Sequence, residues 1–268
     1  MPVEVCLELV GEKPVLFPFF TGYVSRGLLL HVLGVVDPSL ASSLHEAGVV
    51  KPYSVTPLRF RSRGKVEGGY VVDPSFPCRV CFRFLRDDVA RRVLEYFYER
   101  DSVLIYDVVF RVASLSVRSE SYRDIWEKYA KPIDSIRLAF LTPTYLSVLG
   151  TDYHFMFPDH MKVFPHILGL WNKFSDHKKF SEDEVQEYRG WLLRNVGVSM
   201  YKLKTRIAYM RDKKATGFIG WANYEIKNQD EWSKVTSMLA KYAEYSNIGG
   251  NRTGGFGVTK HITKNEKS

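Results

Sequence analysis

The chain has 268 residues, of which 45% are hydrophobic and 14% are aromatic. This apolar content excludes a disordered chain and is enough for a sizeable core. The length suits one large domain or two of roughly 130 residues, at the usual ~100–200 residues per domain, and we favour two. The formal net charge of +8 favours an anionic partner, with nucleic acid first and an acidic membrane surface second.

Neither a membrane span nor a signal peptide is visible. No apolar run approaches the ~18 residues that a membrane helix needs. The first residues, MPVEVCLELVGEKP, lack the basic start and apolar centre of a signal peptide. We therefore expect a cytoplasmic protein without membrane contact.

The chain has three cysteines, Cys6, Cys78 and Cys81. They are too few for a disulfide framework, and the pair at 78 and 81 has no second pair to complete a zinc site. We expect ordinary strand residues here, because positions three apart in a strand point to opposite faces. No metal and no other cofactor is predicted.

The first half reads as strand, helices, strand, strand, helix, strand. Residues 3–9 alternate with period two, and residues 18–36 carry apolar side chains at helical spacing. Asp37-Pro38-Ser39 ends this helix and caps a short second one that runs through Leu44. The later elements are an extended segment at 51–65, a strand at 80–85, a helix at 87–97 and a strand at 104–116. This order is typical of a ferredoxin-like unit.

The second half repeats that plan. Residues 120–132 show no clean strand pattern and end in Lys131-Pro132, so the domain boundary is placed there. The later elements are a strand at 135–140, helices at 162–174 and 183–196, strands at 199–210 and 217–226, a helix at 230–245 and a strand at 257–262. The predicted fold class is α+β, with two tandem ferredoxin-like (RRM-like) domains, 1–125 and 133–268, that have antiparallel sheets.

A glycine-rich stretch, residues 248–257 (IGGNRTGGFG), lies between the last helix and the last strand. Five glycines in nine residues let another backbone approach closely, and their positive φ angles would expose several amide N–H groups together, as phosphate binding requires. Arg252 adds a planar fork of donors for a phosphate or a base edge. The alternative is a flexible hairpin loop.

Two ferredoxin-like halves, a basic charge and this stretch together resemble the CRISPR repeat endoribonucleases of the Cas-six type, within the RAMP superfamily. Residues 247–257 (NIGGNRTGGFG) are similar to the C-terminal signature of that family, in which a Gly-bearing turn precedes a Gly-Phe-Gly triplet. Residues 44–46 (LHE) and 51–58 (KPYSVTPL) resemble its His-containing helix end, its Lys-Pro-aromatic step and its Ser/Thr-Pro-Leu strand. By element order, the resemblance covers nearly the whole chain.

The resemblance implies metal-independent cleavage of precursor CRISPR RNA within its repeats. A ribose 2′-hydroxyl would attack the adjacent phosphate and leave a 5′-hydroxyl and a 2′,3′-cyclic phosphate. His45 would act as general acid or base, and Lys51 would stabilise charge on the phosphorane. Tyr23 would be a third participant that positions the 2′-hydroxyl, since a tyrosine hydroxyl is a poor base on its own. His31 is a rival on the first helix, but its apolar neighbours favour a packed histidine.

Two basic rows are further candidates for RNA binding. Alternation would place the first row, Arg59, Arg61 and Arg63, on one strand face, and the second half repeats this arrangement at Lys202, Lys204 and Arg206. Such rows bind phosphates and reach base edges, although a solubilising outer face is the alternative. Within the glycine-rich stretch, the predicted RNA-binding residues are Gly249, Gly250, Asn251, Arg252, Gly254, Gly255, Phe256 and Gly257. This stretch would hold the RNA at a distance from the cutting site.

The expected partner is CRISPR repeat RNA, with other CRISPR-associated proteins as a further option and with monomer and homodimer both open. A competing function is that of a non-catalytic RAMP subunit that binds guide RNA inside an interference complex. A metal-dependent nuclease is a third reading, but the sequence contains no visible acidic cluster for it.

Overall fold

The computed structural model describes residues 1–46, 48–148, 150–151, 153–210 and 214–262. The elements of the first half are β1 (Val3–Gly11), β2 (Leu16–Pro18), α1 (Gly22–Val36), α2 (Pro38–His45), β3 (Tyr53–Val55), β4 (Ser62–Val66), β5 (Gly69–Val72), β6 (Cys78–Phe84), α3 (Asp87–Glu99), β7 (Ser102–Ile105) and β8 (Val108–Ser119).

The elements of the second half are α4 (Tyr122–Tyr129), β9 (Ser135–Thr144), β10 (Leu146–Ser147), β11 (His154–Phe155), α5 (His160–Phe174), α6 (Glu182–Asn195), β12 (Val196–Tyr209), β13 (Lys214–Ile226), α7 (Glu231–Ser246) and β14 (Thr259–Ile262). Residues 263–268, which end the second predicted domain, lie outside the described residues. None of the described helices is long and apolar enough to cross a membrane.

Two antiparallel sheets confirm the tandem ferredoxin-like prediction. The first has the strand order β3-β6-β1-β8-β7 and the second has the order β12-β13-β9-β14. In each half the opening strand is central: β1 pairs with β6 and β8, and β9 pairs with β13 and β14, all antiparallel. The fold class is therefore α+β, with two copies of the βαββαβ plan.

Each half has its own core between the sheet and its helices. In β1 the alternate residues Val3, Val5, Leu7 and Leu9 are buried, as the period-two pattern predicts. They pack in one cluster with α1 and α3, whereas the helices α5 and α7 pack with β9 and β13 in another. Each half of the chain therefore packs around its own core.

One strand of the first half differs from the prediction. We expected a single strand at 104–116, but the chain turns after β7, where Tyr106 has a φ of 56°, and returns as β8. Val103, Ile105, Val108 and Phe110 are all buried. The buried positions change from odd to even numbers across the turn, but the sequence has apolar or aromatic residues at both, so its pattern did not reveal the turn.

The segment next to the predicted domain boundary forms a helix, α4. Tyr122 and Ile125, which we assigned to the end of the first domain, are buried in the core of the second half. Ser121 and Asp124 form a capping box that starts α4. This helix therefore packs with the core of the second half, and the boundary between the domains stays a prediction.

The cysteine prediction was wrong for two of the three residues. Cys6 and Cys81 form a disulfide bond across the antiparallel pair of β1 and β6, where they are register partners with Cα atoms 4.1 Å apart. The sequence spacing drew attention to Cys78 and Cys81, but the partner of Cys81 comes from the first strand. Cys78 is a free thiol in the first core, and burial raises its pKa to about 11.

Candidate functional site

The glycine-rich stretch lies at the junction of the two halves and is largely buried. Its glycine N–H groups donate to acceptors in the protein. Gly250 donates to the Tyr145 carbonyl, Gly257 to that of Pro143 and Gly249 to Nε2 of His166. Gly254 and Gly255 donate to the carbonyls of Asn251 and Arg252. Neither the flexible loop nor the expected row of free amides is observed.

Several of these glycines are required by close contacts. Gly249, Gly255 and Gly257 have φ angles of 88°, 82° and 65°, which only glycine adopts readily. A Cβ atom at Gly257 would lie 1.8 Å from the Ile248 carbonyl oxygen. On the facing helix, a Cβ atom at Gly22 would lie 1.9 Å from the Gly254 carbonyl oxygen. The stretch is thus a rigid joint against the start of α1, and RNA contact by its eight predicted residues stays a prediction.

The guanidinium of Arg252 is buried rather than free. It donates through Nη1 to the Ser246 carbonyl at 2.7 Å and through Nη2 to the Lys51 carbonyl at 3.1 Å. Burial lowers its pKa to about 10, so the side chain keeps its charge at neutral pH. We expected an open fork and a distant cutting site. Instead, Arg252 joins the glycine-rich stretch directly to the backbone of Lys51.

A cavity of about 580 Å³, here called the junction cavity, opens at this joint. Its walls come from α1, the segment at 49–51, α5 and the glycine-rich stretch. The lining includes four cationic side chains, and among the described lining residues none is acidic. The four cations are Arg26, Lys51, Lys173 and Arg252. Such a lining attracts a polyanion such as the RNA backbone.

Of the predicted pair of His45 and Lys51, Lys51 lies on the first-half side of this cavity. His45 is the last residue of α2 and is exposed, as the predicted helix end requires. Lys51 lines the junction cavity, and its Nζ donates to the Ser43 carbonyl in the last turn of α2 at 3.1 Å. The structure therefore brings Lys51 to the helix end that carries His45.

Tyr23 and His31 share a different face. They stand eight residues apart on α1 with Gly27 between them, and all three line a second cavity of about 310 Å³. The Tyr23 hydroxyl accepts a hydrogen bond from Nδ2 of Asn251 at 2.9 Å. His31 is exposed, so our expectation of a packed histidine was wrong. Its apolar neighbours Leu28, Leu29 and Val32 turn to the core side of the helix instead.

Two residues that position the joint were not among the predicted site residues. Asn247 follows α7 with a φ of 55° and is buried. Its Nδ2 donates to the carbonyls of Val55 and Phe256, and its Oδ1 accepts from Arg83. An Asn directly after a helix is a recognisable C-terminal signal. His166 accepts from the Gly249 N–H through Nε2 at 3.2 Å, and nothing in its sequence context marks it.

The two basic rows differ in their geometry. Lys202, Lys204 and Arg206 all lie on β12, an edge strand, and are exposed, as the alternation predicts. The first row is also exposed, but it does not lie along one strand, so that part of the prediction was wrong. Arg59 forms an isolated bridge with Arg79, whereas β4 begins only at Ser62.

The first row is also held by local partners. The Arg61 guanidinium lies 4.1 Å from the centroid of the Phe76 ring. Nε of Arg63 lies 3.2 Å from Oδ1 of Asp73. The pairing of β4 with β5 shifts register between Ser62 and Gly64. This shift breaks the alternation that the sequence pattern assumed.

The fold and sequence of the chain match known proteins. The model of the family "CRISPR-associated endoribonuclease Cas6" matches residues 138–259. A Cas6 (TTHB231) product complex is 23% identical with a TM-score of 0.80, and the match covers 98% of this chain and 100% of that one. The Thermus thermophilus Cas6 (TTHB231) is 24% identical, covers 98% of both chains and has a TM-score of 0.71.

A Cas6-related protein from Pyrococcus furiosus is 14% identical with a TM-score of 0.66, and covers 98% of this chain and 100% of that one. No curated protein matches the chain. The chain thus shares the tandem ferredoxin-like fold of these structures. The Cas6 family model matches the second half of the chain, and the likeness in fold to Cas6 structures extends over nearly the whole chain.

Proposed function

We propose that the protein is a metal-independent endoribonuclease that cleaves precursor CRISPR RNA within its repeats, in the cytoplasm. The observation that carries this proposal is the junction cavity, where Lys51 stands beside the helix end that bears His45, among four cationic side chains. The described lining offers no carboxylate as a ligand for a divalent cation. This set of residues suits acid–base cleavage of RNA better than a two-metal mechanism.

In the proposed reaction, the substrate supplies its own nucleophile. The 2′-hydroxyl attacks the adjacent phosphate, the bond to the 5′-oxygen breaks, and a 2′,3′-cyclic phosphate and a 5′-hydroxyl remain. His45 transfers a proton to or from one of these oxygens, and Lys51 stabilises the negative charge that develops on the phosphorane. Tyr23, which the amide of Asn251 holds in place, orients the 2′-hydroxyl.

RNA contact is supported by the charge of the site and by similar proteins. Two of the similar structures are described as Cas6 product complexes, and a third as a Cas6 substrate mimic complex. We propose that repeat RNA passes along the exposed row of β12 to the junction cavity, with the arginines at 59, 61 and 63 and the eight predicted residues of the glycine-rich stretch as further contacts.

The decisive experiment replaces His45 and follows single-turnover cleavage of repeat RNA in EDTA. We expect His45→Ala to slow cleavage by about 10²–10⁴-fold, the usual contribution of a general acid or base. His31→Ala tests the rival histidine, because His31 is also exposed but lines the other cavity, together with Tyr23. If His45→Ala cleaves at close to the wild-type rate, our assignment of the catalytic centre is wrong, and a large loss in His31→Ala would move the centre to α1.

The competing proposal is a non-catalytic RAMP subunit that binds guide RNA. It is favoured by the likeness to a RAMP protein described as binding different RNA substrates, which is 15% identical with a TM-score of 0.63. The same assay on the wild-type protein separates the two. Binding without cleavage in either EDTA or Mg²⁺ would support the subunit, and cleavage that EDTA abolishes would support a metal-dependent nuclease.

A further inference from the structure

A third cavity, here called the outer cavity, lies between the two halves and has a volume of about 680 Å³. Its residues come from both halves: Phe19, Phe20, Lys65, Tyr70, Pro143, Thr205, Arg206, Ile207 and Tyr209. The backbone N–H of Phe20 donates to the Tyr209 carbonyl at 3.1 Å and joins the two sides. The cavity therefore exists only where the halves meet.

The outer cavity presents flat aromatic surfaces. Phe19 is 38% exposed and Tyr209 is 50% exposed, although large aromatic side chains are usually well buried. Tyr70 supports Phe19 from the side, with ring centroids 5.2 Å apart and an edge-to-face angle. Phe20 packs on Phe256 of the glycine-rich stretch at 4.8 Å and fixes the floor of the cavity. Tyr70 thus holds the Phe19 ring from one side, and the Tyr209 ring has no aromatic partner among the described residues.

Cations stand beside these rings. Nζ of Lys65 lies 5.2 Å from the centroid of the Phe19 ring. Arg206, on the opposite wall, ends the exposed row of β12. Neither side chain forms an ion pair within the described part of the chain. Aromatic faces next to unpaired cations are the combination that binds single-stranded nucleic acid, because the bases stack and the phosphates are neutralised.

We propose that the outer cavity binds one unpaired base of the RNA, stacked on Phe19 or Tyr209, with Lys65 and Arg206 on the adjacent phosphates. A base-paired stem would not fit, since its bases are already stacked inside the duplex. The identity of the RNA as a CRISPR repeat rests on the proposed function. The outer cavity itself does not, because neither His45 nor Lys51 lines it.

The test is a coupling experiment on the full chain. Repeat RNAs are made with a single abasic ribose at each position in turn, and with a 2′-O-methyl group at any nucleotide after which the wild-type protein cuts. Dissociation constants are measured for the wild type and for Tyr209→Leu. We expect Tyr209→Leu to bind intact repeat RNA about tenfold more weakly, within the usual range for one base–aromatic stack.

At one unpaired position, the abasic replacement should also weaken wild-type binding about tenfold, and it should add nothing in Tyr209→Leu, because that variant can no longer form the stack. Tyr98→Leu is the matched control, since Tyr98 is 93% exposed on α3 and lines none of the three cavities. It should bind as the wild type does. Phe19→Leu is tested alongside, and thermal melting shows that each variant is folded.

The inference is overturned if Tyr209→Leu and Phe19→Leu both bind as tightly as the wild type. It is also overturned if, at every position, the abasic replacement weakens binding by the same factor in the variants as in the wild type. The outcome is independent of catalysis. If the abasic replacement and the aromatic substitution are coupled but the wild-type protein does not cut the RNA, base binding in the outer cavity is supported and the proposed function is wrong. If the wild-type protein cuts the RNA but no coupling is found, the proposed function is supported and base binding in the outer cavity is wrong.

Discussion

The most informative residues are polar side chains buried at the joint between the halves. Asn247 bonds to the backbone of Val55 in the first half and of Phe256 in the glycine-rich stretch. The buried amide of Asn247 must find partners there, because an unsatisfied buried polar group costs about 1–3 kcal/mol, and the half-buried imidazole of His166 has one in the Gly249 N–H. Their hydrogen bonds therefore define one position for the stretch relative to α1 and Lys51. His166 illustrates this most clearly, since it must be neutral to accept the Gly249 N–H.

His166 should make stability depend on pH. Burial, with a smaller effect of the Arg252 charge, lowers its pKa to about 3. The unfolded chain binds a proton there below about pH 6.5, so the contribution of this residue is complete above that pH and is lost as the pH falls toward 3. Between pH 7.5 and 5, we expect the wild type to lose about 1–2 kcal/mol more unfolding free energy than His166→Gln, measured by urea denaturation. Equal losses would mean that the histidine is protonated in the folded protein.

At the scale of elements, the contact between α1 and the glycine-rich stretch decides the geometry of the site. α1 begins at Gly22, which lies against the Gly254 carbonyl. One residue later, the Tyr23 hydroxyl accepts a hydrogen bond from Nδ2 of Asn251. The start of α1 and the glycine-rich stretch, which are far apart in sequence, thus lie so close together that no side chain fits between them. The glycine at 22 is as necessary as those in the signature, although it stands alone in the sequence.

Gly22→Ala should therefore destabilise the protein by about 3 kcal/mol or more, because its Cβ would overlap a backbone oxygen that cannot move aside. Gly27→Ala on the same helix is the control: no atom lies within 4 Å of its Cβ position, and alanine favours a helix by up to about 1 kcal/mol. Chemical denaturation of both variants tests this. Similar stabilities for the two would show that α1 can shift away from the stretch without cost.

At the scale of the whole molecule, positive charge collects where the two halves face each other. The row on β12 leads to the outer cavity through Arg206, and the junction cavity holds four more cationic side chains. RNA bound along this path would contact both halves and both cavities. Binding should therefore depend strongly on salt, since each phosphate contact releases counterions.

Replacing Lys202, Lys204 and Arg206 together by Gln should reduce the magnitude of the slope of log K against log salt by about 2, because each phosphate that a cation neutralises on single-stranded RNA adds about 0.7. The control replaces Arg91, Arg92 and Arg100 by Gln, which removes the same charge from the region of α3, where each arginine has an acidic neighbour. That variant should keep the wild-type slope. If the β12 variant keeps the wild-type slope, the row does not contact RNA phosphates and serves only as a solubilising surface.

The order of helices and strands was determined by local patterns. Alternation in β1 and helical spacing in α3 and α7 are repeated along the chain, so each element could be found without its neighbours. The same holds for the position of His45 at the end of α2 and for the row on β12, since both follow from residues close in sequence. The family resemblance then supplied the chemistry expected at these residues.

Contacts between distant segments were decided only by the tertiary structure. The Cys6–Cys81 bond depends on the register of β1 and β6. The exposure of His31 depends on which side of α1 meets the core. The burial of Arg252 depends on the backbone of Lys51, which comes close enough to accept its hydrogen bond. The outer cavity likewise needs Phe19 and Tyr209, which are far apart in sequence. Hydrophobic patterning specifies which face of an element is buried, but not which element covers it, because burial is non-directional. The glycine-rich stretch was visible as a motif, whereas its role as a rigid joint arises from partners in both halves.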